Sequence, residues 1–304
     1  MLNFKMQLNR IALEIRKIVK KTAQKLIIYR NLTKGEHKYK LLRFWYFAPL
    51  YRGKLPPEES LDIVLRAILK YKSGTFIDVG VNKGQTLLKL LSIDRHREYI
   101  GFEPNVMCCF YVEQFIRKNQ LNSHHILPIG LSNRFDVLKF FSREESSDSS
   151  SVVKDFRPDS FYSYWQYVFV ATGDFIISNL GLSSISVIKI DIEGGELEAI
   201  EGCRTIMGEH EPFIIFEVLS HYLVITKESL DAKTIEIRTK RIRQLENVLK
   251  EKDYSIFQIQ PGKVLKKIII INPGTEPDLS NTNYLAIPRS KEKEFLTLSK
   301  FIEV

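Results

Sequence analysis

The 304-residue chain has only three cysteines, and they cannot build a disulfide framework: Cys108 and Cys109 are adjacent and Cys203 stands alone. A reducing compartment, or no reliance on oxidation, is expected. No apolar run approaches the ~18 to 20 residues needed to cross a bilayer. The apolar residues near the N-terminus are interrupted by Lys and Arg every few positions, unlike a secretory signal, so a cytoplasmic location is expected. No His/Cys set has zinc spacing, since His124 and His125 are adjacent while His210 and His221 fall in different elements. Internal repeats are lacking too. Acidic residues are scarce in one place only. Residues 1–54 hold 14 Lys and Arg against Glu14 and Glu36, a net +12, whereas the other 250 hold 31 basic and 34 acidic residues, a net −3. The overall +9 therefore belongs to one end, and any inference from a basic pI to nucleic acid or an anionic membrane applies to that end alone.

What is present divides into residues 1–54, a basic helical and aromatic extension, and residues 55–304, a catalytic domain. In residues 1–30, Ile11, Ile15, Ile18, Val19, Leu26 and Ile27 recur at helical spacing among basic residues. Such a helix either packs on the main domain with a solvated basic face or lies on an anionic membrane as a peripheral contact. The aromatic cluster Phe44, Trp45, Tyr46, Phe47 and Tyr51 follows, then a linker at Gly53–Pro57 and a helix capped by Ser60. From Thr75 onward, short apolar runs alternate with helical stretches, the pattern of a parallel sheet with crossover helices. Expected strands are 76–79, 99–102, 126–129, 187–190, 213–218, 256–259, 268–271 and 284–287. Expected helices are 85–91, 106–118, 196–201 and 234–252, the last with a solvated basic face at 238–243. Glu144–Ser151 is of low complexity and reads as a loop.

Phe76-Ile-Asp78-Val-Gly80-Val-Asn82-Lys-Gly84-Gln-Thr86 reads as a strand, a glycine turn and a helix start, the form of a nucleotide-cofactor loop at the first crossover of a doubly wound sheet. A dinucleotide fingerprint requires a second glycine where Asn82 stands, to let the backbone approach a pyrophosphate. A nucleoside cofactor without one is therefore expected, and S-adenosylmethionine fits. Glu103 ends the second expected strand, where an acid would accept from ribose hydroxyls, and Pro104 stops the strand.

The run Val187-Ile-Lys189-Ile-Asp191-Ile-Glu193-Gly-Gly-Glu196 alternates charged and apolar residues. Charges in a sheet covered on both faces belong at the carboxyl end, where such sheets place ligands, so Asp191 is the leading catalytic candidate. The alternative is a Lys189–Glu193 ion pair with Glu196 serving the helix N-terminus. Glu217 and, four residues on, His221 are either substrate contacts and general-base helpers or structural polar groups. Asp191, Glu193 and Glu217 would also suit Mg²⁺, although a site without metal is preferred.

Taken together, Asp78-Val-Gly80-Val-Asn82-Lys-Gly84, Phe102-Glu103-Pro104, Pro128-Ile-Gly130-Leu131-Ser-Asn133, Ser150-Ser151, Lys189-Ile-Asp191-Ile-Glu193-Gly-Gly-Glu196, Phe216-Glu217-Val218 and Asn283–Pro288 resemble the FkbM-type methyltransferases, a branch of the class I S-adenosylmethionine-dependent enzymes. The resemblance spans roughly residues 74–288. It implies a Rossmann-like α/β fold with a mostly parallel seven-stranded sheet, the last strand antiparallel, and O-methylation of a hydroxyl on a sugar, glycan or related metabolite. It also implies that Asp78, Gly80, Asn82 and Gly84, with Thr86 at the helix start, surround the methionine end of the cofactor. Glu103 and Pro104 then lie at the ribose, Gly130 and Leu131 near the adenine, and Asp191 faces the reacting methyl. Val81 stands where the family more often has alanine. Two other readings stay open: an RNA or DNA methyltransferase, disfavoured by the acidic catalytic part and by the lack of an Asp/Asn-Pro-Pro-aromatic motif, and an inactive cofactor-binding scaffold. Beyond a small-molecule or glycan acceptor, the expected partner is an anionic membrane or lipid-linked glycan met by residues 1–54.

Overall fold

In a computed structural model the described residues are 29–34, 37–42, 59–142, 150–153, 156, 162–223, 228–262, 264–274 and 282–303. The expected helix lies outside them over residues 1–28, as do the aromatic cluster, the Gly53–Pro57 linker and most of the low-complexity loop. Residues 29 and 30 do not continue a helix. They open a hairpin of β1 (Tyr29–Lys34) and β2 (His37–Leu42), so the extension is not helical throughout.

The domain proper begins with α1 (Glu59–Tyr71), in which Ser60 is an internal residue and not the cap. There follow β3 (Thr75–Val79), α2 (Gln85–Ile93), β4 (Tyr99–Phe102), α3 (Val106–Lys118) and β5 (His124–Leu127). An insertion of β6 (Gly130–Ser132), β7 (Asp136–Ser142), β8 (Tyr164–Thr172) and α4 (Gly173–Asn179) comes next, which the sequence pattern did not announce. The second half is β9 (Ile185–Ile190), α5 (Glu196–Glu201), α6 (Arg204–His210), β10 (Phe213–Glu217), the short pair β11 (Tyr222–Leu223) and β12 (Glu228–Ser229), then α7 (Ala232–Glu251). It closes with β13 (Tyr254–Gln260), β14 (Val264–Ile268), β15 (Asn283–Pro288), α8 (Arg289–Ser299) and β16 (Ile302–Glu303).

The main sheet has the order β16-β14-β13-β15-β10-β9-β3-β4-β5, nine strands where seven were expected, because β14 and β16 extend the edge. Strands β10, β9, β3, β4 and β5 are mutually parallel, and β15 runs antiparallel between β10 and β13, so the Rossmann-like class holds. Strand order reverses between β3 and β9, where the loops leaving the two strands diverge into a crevice at their carboxyl ends. Alternate residues feed two cores. Phe76, Val187, Phe213 and Leu285 pack with α1, α2, α3 and α8, while Ile77, Ile188, Ile214 and Ala286 pack with α4 to α7. Hydrophobicity alone misplaced one strand. The apolar run expected as a strand at 268–271 contains Ile269 and Ile270, which are exposed, and β14 ends at its first residue, Ile268. Arg238, expected on a solvated face, is buried, donates to the Phe156 and Ser220 carbonyls and lies 4.1 Å over the Phe156 ring.

At the end of the sheet away from the crevice, His124 stacks on Tyr99 with both ring nitrogens buried and unpartnered. Burial first, then Arg95 and His125, pull its imidazole down to about 4. The unfolded chain therefore binds a proton that the folded chain refuses, and stability is lost as pH falls from about 6.5 toward 4. Replacing His124 with Phe should raise stability and remove this site's part of the acid slope, as read by urea titrations at pH 7.5 and 5.

Candidate active site

The crevice is built by loops, each shaped by backbone that only certain residues tolerate. After Val79 the chain turns through Gly80 at φ +89°, Asn82 at φ +48° and Gly84 at φ +86° before α2 begins. Gly80 N–H donates to the Phe102 carbonyl (2.9 Å) and Asp191 N–H to the Val79 carbonyl (3.0 Å), so both neighbouring strand ends crowd this turn. A Cβ on Gly80 would lie 2.0 Å from the Asp191 carbonyl oxygen.

Glu103 links two loops. Its Oε2 accepts from Asn82 N–H and its Oε1 from Asn105 N–H, each at 2.8 Å. Asn105 in turn caps α3 by accepting from Met107 N–H at 2.9 Å. The Glu103 carboxyl is buried, and that burial, only partly offset by the two N–H donors, pushes it up to about 7.

Across the crevice, β9 ends at Ile190 and the alternation breaks. Glu193 adopts φ +54° and Gly194 φ +102°. Glu196 Oε1 accepts from Gly194 N–H (3.1 Å) and Ile192 N–H (3.3 Å), securing this turn, and burial pushes its carboxyl up to about 7. Asp191 receives the ammonium of buried Lys189 at 2.8 Å, and its side chain is 43% exposed toward the crevice. Burial of its surroundings alone would raise the Asp191 carboxyl, but the Lys189 charge and hydrogen bonds from Lys189 and Glu217 hold it below the usual carboxylate range. Glu217 goes the other way. Burial, then the negative charges of Asp191 and Glu193, raise it well above the usual range, while Thr282 Oγ1 donates to it at 2.8 Å.

The resulting cleft spans about 620 Å³, the open space at its mouth included. Among the residues expected from sequence, Gly80, Asn82, Glu103, Pro104, Gly130, Leu131, Asp191 and Glu193 come together on its walls. Five others do not. Asp78 is fully buried beneath the floor, where Tyr99 Oη donates to Oδ2 (2.7 Å) and Oδ1 has no partner; burial raises its carboxyl to about 6 despite Lys189 and Tyr99. Gly84 and Thr86 serve the start of α2. Glu217 stands behind Asp191, and His221 is buried beside Arg238 with its backbone N–H on the Gly274 carbonyl. Sequence reasoning missed Asn105 and Cys108 at the α3 start, and Phe140, Val152 and Val170 from the insertion. The Asn after Pro104 was a readable helix cap, whereas nothing local marks strands of an insertion as a cleft wall. Among the described residues no group of three or more His, Cys, Asp and Glu is arranged to hold a metal ion.

Residues 78–256 match the family described as the methyltransferase FkbM domain. No curated protein matches. Among solved structures, an FkbM methyltransferase from Methylobacillus flagellatus KT is 17% identical over 71% of this chain and 43% of that one, with a TM-score of 0.42. This chain thus spans less than half the length of that protein. An O-methyltransferase from Bacillus cereus in complex with SAH is 12% identical over 80% and 86% of the two chains (TM-score 0.43). A SAM-dependent O-methyltransferase from Thermotoga maritima is 12% identical over 85% and 77% (TM-score 0.39).

The crowding at Gly80 gives a direct check on the crevice. Gly80→Ala should cost more than ~2 kcal/mol, because the added carbon meets backbone that cannot yield. Gly181→Ala, also at positive φ (+64°) but with nothing within 4 Å, should cost about 1 kcal/mol. Urea midpoints of the two variants measure the difference.

Proposed function

The chain belongs to the methyltransferase FkbM domain family and its cofactor is S-adenosylmethionine; on that premise we propose that it methylates a hydroxyl of a sugar, glycan or related metabolite. The observation that carries the proposal is the Asp191 carboxylate, 43% exposed to the cleft and held at 2.8 Å by the ammonium of buried Lys189.

The residues fit the cofactor. Each Glu103 oxygen already accepts one backbone N–H and keeps a further lone pair for one hydroxyl of a ribose diol. Glycine at 80 and 130 leaves the backbone bare beside the ligand space, and a Cβ on Gly130 would come within 3.1 Å of Val170. Leu131, Phe140 and Val170 offer an apolar slot of the kind a purine fills. When bound, S-adenosylmethionine supplies an electrophilic methyl on a sulfonium.

The protein's own part is to align an acceptor hydroxyl, exclude water and take the hydroxyl proton. Asp191 is assigned that proton. A hydroxyl oxygen forming a new bond to carbon becomes strongly acidic, so even a carboxylate of lowered basicity suffices. Lys189 holds Asp191 below the usual carboxylate range and, at 2.8 Å, fixes its orientation. Glu193 lines the same mouth as a second carboxylate for acceptor hydroxyls. This acidic mouth argues against a nucleic-acid acceptor, whose phosphates it would repel. Residues 1–54, with their +12, are proposed to meet an anionic membrane or a lipid-linked acceptor. Among the described residues no helix is long and apolar enough to cross a membrane.

Methyl transfer from labelled S-adenosylmethionine to glycan and lipid-linked glycan acceptors tests the proposal; label appearing only in nucleic acid or protein contradicts it. Asp191→Asn should lower turnover by roughly 10²–10⁴-fold with cofactor affinity changed only a few-fold. Cofactor affinity should weaken as pH falls through about 7, where Glu103 takes up a proton and one acceptor site becomes a donor. Calorimetric titration at pH 6 and 8 should show this dependence, and Glu103→Gln should both weaken binding at least tenfold, about 1.4 kcal/mol, and abolish the dependence.

A further inference from the structure

The insertion that walls the cleft has a second face that the methyl-transfer reading leaves unused. Its three-stranded sheet, β6-β8-β7, turns Phe140, Val168 and Val170 inward. The alternate residues face out in register: Val137 opposite Phe169, Lys139 opposite Tyr167, and Phe141 opposite Trp165. Val137, Trp165, Tyr167 and Phe169 are 46–64% exposed. Phe135 and Phe175, each 52% exposed, continue the surface, with Phe135 6.4 Å from Phe169 and 4.9 Å from Phe175 between ring centroids. Six large side chains at half exposure amount to on the order of 500 Å² of contiguous apolar surface, at the upper end of what a monomer leaves bare.

The charge on this face selects among occupants. Lys139 lies in the middle of it with its ammonium 4.4 Å over the Trp165 ring, and among the described residues no carboxylate is bonded to it. The nearest acid on β7, Asp136, is already taken by Arg134 at 2.9 Å. A second copy stacked on the same face would bury two lysines with no acid among the described residues to pair them, and interface cores are depleted of lysine. A sugar would bring many hydroxyls, for which this face offers only Lys139, Trp165 and Tyr167, while Val137, Phe169, Phe135 and Phe175 have no hydrogen-bonding group. An anionic lipid surface meets both needs, since rings enter the headgroup–acyl boundary while Lys139 reaches up to a phosphate.

We propose that the outer face of the β6-β8-β7 sheet seats on the headgroup region of an anionic phospholipid membrane, with Trp165, Tyr167, Phe169 and Phe175 as the inserted side chains. The contact is carried by this face and does not rest on residues 1–54 or on the identity of the acceptor. It would hold the cleft wall, and so the cleft, at the lipid surface.

The chain has two tryptophans, Trp45 and Trp165, so full-length protein carrying Trp45→Phe reports on this face alone. Added phosphatidylcholine–phosphatidylglycerol vesicles should shift Trp165 emission to the blue and expose it to quenching by lipids brominated on the acyl chain. Tyr167→Ser/Phe169→Ser/Phe175→Ser should reduce vesicle partitioning at least tenfold although the basic N-terminal segment is intact. Vesicle binding with Trp165 emission unmoved would overturn the proposal, because the contact would then belong to residues 1–54. A Trp165 shift caused by glycan, or by raising protein concentration with formation of a dimer, each without lipid, would overturn it in favour of those occupants. Should the triple variant fail to fold, Trp165 emission in the Trp45→Phe protein still decides.

Discussion

The site depends on one buried carboxylate. Glu103 sits at the end of β4 with both oxygens engaged by backbone N–H groups, one from the turn after β3 and one from the start of α3. Removing an ionised carboxylate from water costs several kcal/mol. The two donors offset part of that cost, and in exchange the carboxylate ties the two loops that form one side of the cleft. The left-handed backbone at Gly80 and Asn82 follows from the same constraint: the chain must turn at once after Val79 for Asn82 N–H to reach Glu103 while passing under the carbonyl of Asp191.

Around this edge, acids of the same chemical type are driven to different states by their surroundings. Glu103 and Glu196 are raised to about 7 by burial, each bracing a turn through backbone N–H groups. Lys189 holds Asp191 below the usual carboxylate range, and the negative charge of Asp191 helps to raise Glu217. Division of labour among acids at one sheet edge thus comes from burial and from a single lysine, whose position opposite Asp78 in the β3–β9 register also places it beside the buried Asp78. Sites of this kind use such divergence to separate binding, orienting and proton-accepting roles.

Much of this was legible in the residues. The glycine turn, the strand-ending Glu103 and the charged run around Asp191 all sit where their pattern placed them, because each is a local signal: a turn that needs φ > 0, or a charge that a covered sheet cannot bury in mid-strand. What was not legible required partners distant in sequence. Asp78 reads as a cofactor residue, but in β3 its side chain alternates into the sheet's covered side, where Tyr99 meets it. Lys189 pairs with Asp191, two residues on, because β9 ends at Ile190 and the extended alternation stops. Arg238 reads as solvated because its partners, the carbonyls of Phe156 and Ser220, are remote in sequence. The insertion strands β6 to β8 alternate too, but their outward residues are aromatic, which blurs the polar-out pattern by which a half-buried strand is recognised.

The net charge of +9 now has an architecture: +12 in residues 1–54, and −3 in the remainder, whose cleft mouth is lined by Asp191 and Glu193. The proposed hydroxyl-bearing acceptor belongs with that cleft, and the proposed anionic surface with the basic segment and the aromatic sheet face. All of it presupposes a cleft made for a nucleoside cofactor that lacks a pyrophosphate, with Glu103 as the ribose acceptor. Calorimetric titration of the full chain with S-adenosylmethionine and, separately, with NAD measures this directly. Saturable binding of S-adenosylmethionine at one site and no binding of NAD is the expected result. Binding of NAD with no binding of S-adenosylmethionine would contradict the account.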